Sequence, residues 1–415
     1  MIDIRFLGGA REVGRSGILL DTGVEKFLFD YGIEVQDNTH PIQPDIRLDG
    51  IFISHAHMDH SGFIPDLYRR GYSGPVFMTP PTADLTSILL RDSLKVQKKR
   101  GDELHFMLND IKKAERHIEF MEPGQRQEFS VSNAEFFHAG HIPGSVLTLL
   151  ESKGKRILYT GDIKFIDTAL MKGAFSEFKD IDVIISESTY SYGNHPDRRG
   201  LEDELKKIVQ DTVYNNGIAV IPAFAVGRTQ EMLIILSKLG FPVFVDGMGI
   251  RATEKILKHQ KSVRDYKTLK GAFDRATKVK RDRMRKEVIQ NPCVIITTAG
   301  MLNGGPIVYY LSHLWKRQDC SLTLTGFQVP GTAGRGLMDT GRYDNGEVDL
   351  RPQMKMNFLD FSAHTDRDHL LEFYKKVSPE KIILIHGEHT DDFSKDLNGM
   401  GFDTVAPGNG EKISV

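Results

Sequence analysis

The stretch Ser54-His55-Ala56-His57-Met58-Asp59-His60 follows the apolar run Gly50-Ile51-Phe52-Ile53 and crowds three imidazoles and a carboxylate into one short loop. His55 and His57 lie two apart, and Asp59 and His60 follow at once. A single tight loop can therefore present imidazoles to one metal ion and an Asp-His pair to a neighbouring one. The pattern predicts a metal-dependent hydrolase, with zinc as the ion best suited to such donors.

One loop supplies too few ligands, because zinc takes roughly four or five. The others are sought at further strand ends. His141 sits in His138-Ala139-Gly140-His141-Ile142-Pro143-Gly144-Ser145, Asp162 in Tyr159-Thr160-Gly161-Asp162, and His386 in Ile385-His386-Gly387-Glu388, each just after an apolar run. Taken singly, a histidine after a strand is usually a hydrogen-bonded loop residue, and a Gly-Asp pair is usually a turn. His138 and His389 compete with His141 and His386 and are read as supporting residues at best. Only Cys293 and Cys320 are present, without paired spacing. Neither a disulfide framework nor a thiolate zinc site is supported, so His and Asp must hold the metal.

With 415 residues the chain is long for one core, which stops growing at roughly 250 to 300 residues, so two domains are expected. The first half reads as short strands ending in functional loops, with helical stretches at Pro81 to Arg100 and Asn109 to Phe120. After Asp182-Val183-Ile184-Ile185-Ser186-Glu187 the pattern becomes a regular strand and helix alternation. Its strands are expected at Gly217 to Ile221, Pro242 to Val245, Pro292 to Thr297 and Ser321 to Thr325, with helices at about Arg228 to Leu239 and from Arg251 onward. Near Met354-Lys355-Met356-Asn357-Phe358-Leu359 the style of the first half returns. Residues 1–190 and 354–415 are thus expected to form one discontinuous domain, and 191–353 a domain inserted into it.

Hydrophobic residues make up 40% of the chain and charged ones 27%, as in an ordinary globular protein. The longest apolar runs fall far short of the roughly 18 residues needed to span a bilayer, and the N-terminus has no basic-then-apolar export pattern. The expectation is a cytoplasmic protein with no membrane partner. A formal charge of −2 gives no global attraction to nucleic acid, so any polyanion must be bound by local patches.

Across essentially its whole length the sequence resembles the metallo-β-lactamase superfamily and, within it, the β-CASP nucleases. Asp30, His55-Ala56-His57-Met58-Asp59-His60, His141 and Asp162 match the superfamily's four motifs, and Glu187, His364 and His386 match the three peculiar to β-CASP members. The segments Glu187-Ser188-Thr189-Tyr190, Gly227-Arg228-Thr229-Gln230-Glu231, Thr298-Ala299-Gly300-Met301-Leu302 and Ser362-Ala363-His364-Thr365-Asp366 make the resemblance nearest to archaeal homologues of the cleavage and polyadenylation specificity endonuclease. It implies an α/β fold: an αββα sandwich with an inserted Rossmann-like parallel α/β domain. DNA-directed members usually lack the histidine matched by His386, so its presence points to RNA.

The resemblance assigns His55, His57 and His141 to one Zn²⁺, Asp59, His60 and His386 to a second, and Asp162 to a bridge between them. It implies hydrolysis of an RNA phosphodiester by a hydroxide activated between the two ions. A departing sugar oxygen needs a proton, for which His364 is the candidate, raised and oriented by Glu187. Asp30 is expected to orient the histidine loop, because a ligand histidine usually hands its other N–H to a carboxylate.

RNA would be held elsewhere. Gly227-Arg228-Thr229 opens a helix after a strand, so free backbone N–H groups and a guanidinium could meet a phosphate there. Gly331-Thr332-Ala333-Gly334-Arg335-Gly336 is a weaker case, and Ser362 and Thr365 join Arg228, Thr229 and Arg335 as expected RNA contacts. Lys255, Lys258, Lys261, Lys267, Lys270, Lys278, Lys280, Arg281, Arg283 and Arg285 form a basic run that is either an RNA-facing flank or a solvated face.

Two rival functions are weighed. A thioester or lactam hydrolase of the same superfamily needs no second α/β domain and no acid like His364. A non-catalytic scaffold would have lost ligands, whereas every matched position here is filled. The first strand is expected to begin at Ile2, which leaves no place for an N-terminal RNA-binding module such as a KH domain. A homodimer is expected by resemblance alone, and internal and 5′-to-3′ cleavage both stay open.

Overall fold

In the computed structural model, which describes residues 1–34 and 36–415, the N-terminal segments alternate between two packing surfaces. Ile4, Phe6, Phe27 and Phe29 point one way, and Leu7 and Leu28 the other, as a strand's period of two requires. Both faces are apolar because both are covered.

The chain divides into two units. The first comprises Met1–Asp167, Lys172–Asn194 and His364–Val415. It contains two seven-stranded sheets. One runs, edge to edge, through Lys412–Ser414, Asp3–Gly8, Gly17–Asp21, Lys26–Phe29, Gly50–Phe52, Val76–Met78 and Ile118–Phe120. The other runs through Thr404–Val405, Lys381–Ile385, Val183–Glu187, Lys155–Tyr159, Val146–Ser152, Ser132–His138 and Arg126–Glu128.

Phe6, Phe29, Phe52 and Phe77 of the first sheet meet Phe136, Leu150, Tyr159 and Ile185 of the second in one core. Outside the first sheet pack the helices Ile64–Arg69, Pro80–Arg100 and Leu108–Arg116. Outside the second pack Arg367–Val377 and Thr390–Gly399. The result is a helix, sheet, sheet, helix sandwich.

Register brings the functional loops to one edge. Lys26–Phe29 runs parallel to Gly50–Phe52 with Phe29 opposite Phe52, so Asp30 and the histidine loop leave side by side. Tyr159 lies opposite Ile185, and Glu187 opposite Ile385, again in parallel pairs. Asp162, Glu187 and His386 therefore emerge together.

The second unit comprises Thr168–Met171 and His195–Ala363. Its six-stranded sheet is all parallel, in the order Thr277–Val279, Val243–Asp246, Cys293–Thr297, Ile218–Pro222, Ser321–Leu324, Lys355–Phe358.

Two expectations fail at strand edges. Lys355–Phe358 does not return to the first unit; it pairs with Ser321–Leu324 of the inserted sheet, and the chain re-enters the first unit only at His364. A strand's alternation does not say which sheet edge its N–H groups will find. Likewise Ile118–Phe120, read as helical, leaves the helix Leu108–Arg116 and extends the first sheet opposite Val76–Met78. No helix among the described residues is long and apolar enough to cross a membrane.

Candidate metal centre

The histidine loop is anchored by Asp30, which is fully buried. Its Oδ1 accepts the Ser54 backbone N–H at 2.7 Å. Its Oδ2 accepts the Ser54 hydroxyl at 2.6 Å and the Tyr159 hydroxyl at 2.7 Å, and lies 2.7 Å from His60 Nδ1. With Nδ1–H given to a carboxylate, His60 turns an Nε2 lone pair the other way. Asp30 and His386 both have positive φ, 55° and 48°, a conformation that costs a non-glycine residue roughly 1–3 kcal/mol and is typical of functional sites.

The two oxygens of Asp162 face different partners. Oδ2 lies 3.4 Å from His55 Nε2 and 3.6 Å from His141 Nε2, and His57 Nδ1 is 3.2 Å and 3.1 Å from those same nitrogens. Oδ1 lies 3.3 Å from His60 Nε2 and 3.3 Å from His386 Nδ1. Asp59 Oδ2 is 3.5 Å from His386 Nε2 and 3.9 Å from His60 Nε2. The six other residues expected as ligands thus gather about the Asp162 carboxylate.

The donors suit cations. His60 Nε2, Asp162 Oδ1 and His386 Nε2 are buried without a hydrogen-bond partner among the described residues. Each such atom costs roughly 1–3 kcal/mol if left unmatched, and one ligand atom from each of these three residues lies within 4.8 Å of the others. Burial, together with His60, holds His55 well below the usual histidine pKa, so its ring is neutral and able to donate. Burial opposes charge on Asp162, yet His60 and His386 hold its carboxyl well below the usual range. The same balance favours positive charge at His60, where Asp162, Asp59 and Asp30 outweigh burial. A divalent cation would take the place of the His60 proton between these carboxylates, leaving nitrogen lone pairs and anionic oxygens as its donors.

Beside this cluster stands a histidine–carboxylate pair. His364 Nδ1 is 2.9 Å from Glu187 Oε2 and 3.9 Å from Asp162 Oδ2. Glu187 is buried, and its Oε1 accepts the Ile163 N–H at 2.7 Å. Burial works against charge on His364, but Glu187 and Asp162 raise its pKa to about 9.

Ser54, Tyr159, Thr189 and Lys164 were not legible as site residues. Thr189 Oγ1 lies 3.2 Å from His386 Nδ1 and donates to the His386 carbonyl at 3.0 Å. The Lys164 ammonium donates to the His364 carbonyl at 2.7 Å. Each belongs to an ordinary strand-end segment, and only the tertiary contact distinguishes it. His138 instead contacts the Lys172 carbonyl, 3.0 Å from its Nε2, and His389 is exposed.

The residues expected to touch RNA are mostly occupied within the second unit. At the start of helix Arg228–Leu236 the N–H groups are not free: Gly227 donates to Gln230 Oε1 at 2.7 Å, Arg228 to the Val226 carbonyl and Thr229 to the Phe224 carbonyl, both at 3.1 Å. The expected phosphate cradle is filled by the chain itself. Arg228 is buried and paired with Glu231, which also binds Arg198. The Thr229 hydroxyl donates to the Phe224 carbonyl at 2.7 Å. Ser362 is buried, with its carbonyl accepting Arg198 at 3.2 Å. Thr365, in the first unit, is also buried. Arg335 reaches the surface, where it pairs with Asp339 at 2.8 Å.

The basic run is more open. Residues 251–286 carry fourteen Lys and Arg against four Asp and Glu in a chain of net charge −2. Lys270, Arg283 and Arg285 are paired with acids, while Lys258, Lys261, Lys267, Lys280, Arg281 and Lys286 are exposed.

Comparison with known proteins gives three consecutive family matches: a beta-lactamase superfamily domain over residues 17–196, a Beta-Casp domain over 229–337, and a Zn-dependent metallo-hydrolase RNA specificity domain over 349–407. The chain is 37% identical to a probable RNase, MJ4, of Methanocaldococcus jannaschii, with 100% of both chains covered. It is 33% identical to RNase aCSPSF2 of Saccharolobus solfataricus over 99% of this chain and 85% of that one. It is 36% identical to the transcription termination factor FttA of M. jannaschii over 94% of this chain and 67% of that one. A solved structure of a protein of unknown function from Enterococcus faecalis superposes with a TM-score of 0.64 at 14% identity, covering 100% of both chains.

Proposed function

Because the chain belongs to the β-CASP family of the metallo-β-lactamase superfamily, we propose that it is a metal-dependent ribonuclease holding two Zn²⁺ ions and hydrolysing RNA phosphodiester bonds. His55, His57 and His141 would hold one ion, Asp59, His60 and His386 the other, and Asp162 both. The observation that carries this reading is the division of Asp162: its Oδ2 faces His55 and His141, and its Oδ1 faces His60 and His386. When bound, the ions supply Lewis acidity towards the phosphoryl oxygens and a hydroxide nucleophile near neutral pH.

The chain's own residues do the rest. Asp30 holds the His60 ring so that Nε2 faces the centre. His364 donates a proton to the departing sugar oxygen, which otherwise leaves poorly. Glu187 orients the His364 ring and favours its protonated form. A thioester hydrolase would have little use for this donor, because a thiolate leaves without a proton. RNA outside the centre is drawn by the exposed cations of residues 251–286 and by Arg335, whose pairing with Asp339 is exposed and weak.

The test is incubation with RNA labelled at the 5′ end, prepared as 5′-monophosphate and as 5′-triphosphate. Cleavage that stops with a chelator and returns with zinc is expected, and the label distinguishes internal cuts from 5′-to-3′ degradation. Zinc-loaded protein that leaves varied RNAs intact while turning over thioesters would overturn the reading.

A further inference from the structure

Every candidate ligand follows a strand of the two-sheet sandwich, and Glu187 ends one. His364 does not: it is the residue at which the chain re-enters the first unit, and the helix behind it begins only at Arg367. No sheet ladder fixes its backbone. Something else must hold a proton donor at a constant distance from the cluster, because misplacement by about 1 Å is enough to cost on the order of a hundredfold in rate.

The segment Asp162-Ile163-Lys164 supplies that restraint. Asp162 is the central carboxylate of the cluster. Ile163 donates its N–H to Glu187 Oε1 at 2.7 Å and accepts the Thr365 N–H at 2.7 Å. Lys164 places its ammonium on the His364 carbonyl at 2.7 Å. Its own backbone is tied on both sides, the N–H to the Ala139 carbonyl at 2.9 Å and the carbonyl to the Ala174 N–H at 2.7 Å. Lysine is almost never fully buried without partners, yet Lys164 is 2% exposed.

We infer that Lys164 is a positioning residue for the proton donor, its buried ammonium fixing the His364 backbone to the segment that carries Asp162. The carboxylate of the cluster and the base of the acid are then held by neighbouring residues, so the distance between them is set locally. A neutral side chain of similar length would keep the fold and release the His364 carbonyl. This inference rests on His364 being the acid.

The experiment compares RNA with bis(4-nitrophenyl) phosphate, whose nitrophenolate leaves without a proton. In Lys164→Met, RNA turnover should fall about tenfold or more with KM unchanged, part of the roughly 10²–10⁴-fold that general-acid catalysis contributes. Nitrophenyl ester turnover, bound zinc and the unfolding midpoint should be preserved. Lys164→Arg should recover most of the RNA rate, and Lys164→Met should add nothing in a His364→Ala background.

Equal losses on both substrates, loss of zinc or of the fold, further slowing in the His364→Ala background, or undiminished RNA cleavage would each overturn the inference. His364→Ala itself separates the two readings. If it slows both substrates alike, the acid assignment fails and the Lys164 role falls with it. If it slows RNA alone while Lys164→Met does not, only the Lys164 role fails.

Discussion

Asp30 Oδ2 lies 2.7 Å from His60 Nδ1, so a carboxylate outside the ligand set decides which nitrogen of His60 faces the metal centre. Outer partners of this kind are typically worth about 10–100-fold in metal affinity. Asp30→Ala should weaken zinc retention to that extent, measured by competition with a chromophoric chelator. Unchanged affinity and unchanged activity together would remove Asp30 from this role.

His364 shares the cluster's surroundings but is not needed to hold metal in the arrangement proposed. His364→Ala should retain its zinc, by elemental analysis, while RNA cleavage falls roughly 10²–10⁴-fold. A zinc-loaded, fully active variant would exclude it as the acid.

The pH profile tests the pair it forms with Glu187. An acid must be protonated, so on the alkaline side activity should decline as pH rises through the His364 pKa. Burial lowers that pKa, whereas Glu187 and Asp162 lift it to about 9. Glu187→Gln removes the first of these raising charges, so the alkaline decline should move to lower pH. A profile that keeps its alkaline limb in place would separate Glu187 from the acid.

Removing the metal should destabilise the first unit, since a ligand bound only by the folded state adds about 4 kcal/mol at a thousandfold excess over Kd. Calorimetry with and without chelator should show a lower unfolding temperature for the stripped protein, restored by zinc. Identical transitions would argue that the buried donors do not hold a cation.

Lys258, Lys261, Lys267 and Lys280 are exposed and are the cleanest probes of the basic run. Their replacement by glutamine should weaken RNA binding and flatten its dependence on salt, by a slope of roughly 0.7 for each single-strand phosphate that is no longer neutralised. A slope equal to that of the parent would leave the run as a solvated face.

Spacing alone made the cluster's composition legible: His55, His57, Asp59 and His60 are local, and local patterns survive in one dimension. His141, Asp162 and His386 could be proposed because each follows an apolar run, and strand ends are where a sheet presents polar groups. That they meet was decided by parallel register, which sets Glu187 opposite Ile385 and Tyr159 opposite Ile185. Lys355–Phe358 joins the inserted sheet and not the first unit because an edge strand's partner is chosen by backbone hydrogen bonds available only in three dimensions. Arg228 looked like a phosphate ligand until burial paired it with Glu231.

The loop from Ser54 to His60 thus offered by itself a set of histidine and aspartate donors suited to metal, because donor identity and spacing are properties of the chain. The tertiary structure decided how those donors are shared. Asp162 divides its oxygens between two sets, Asp30 selects the His60 tautomer, and Lys164 reaches the His364 carbonyl. Such relationships depend on distances of about 3 Å between residues far apart in sequence, and only packing of the two sheets fixes those.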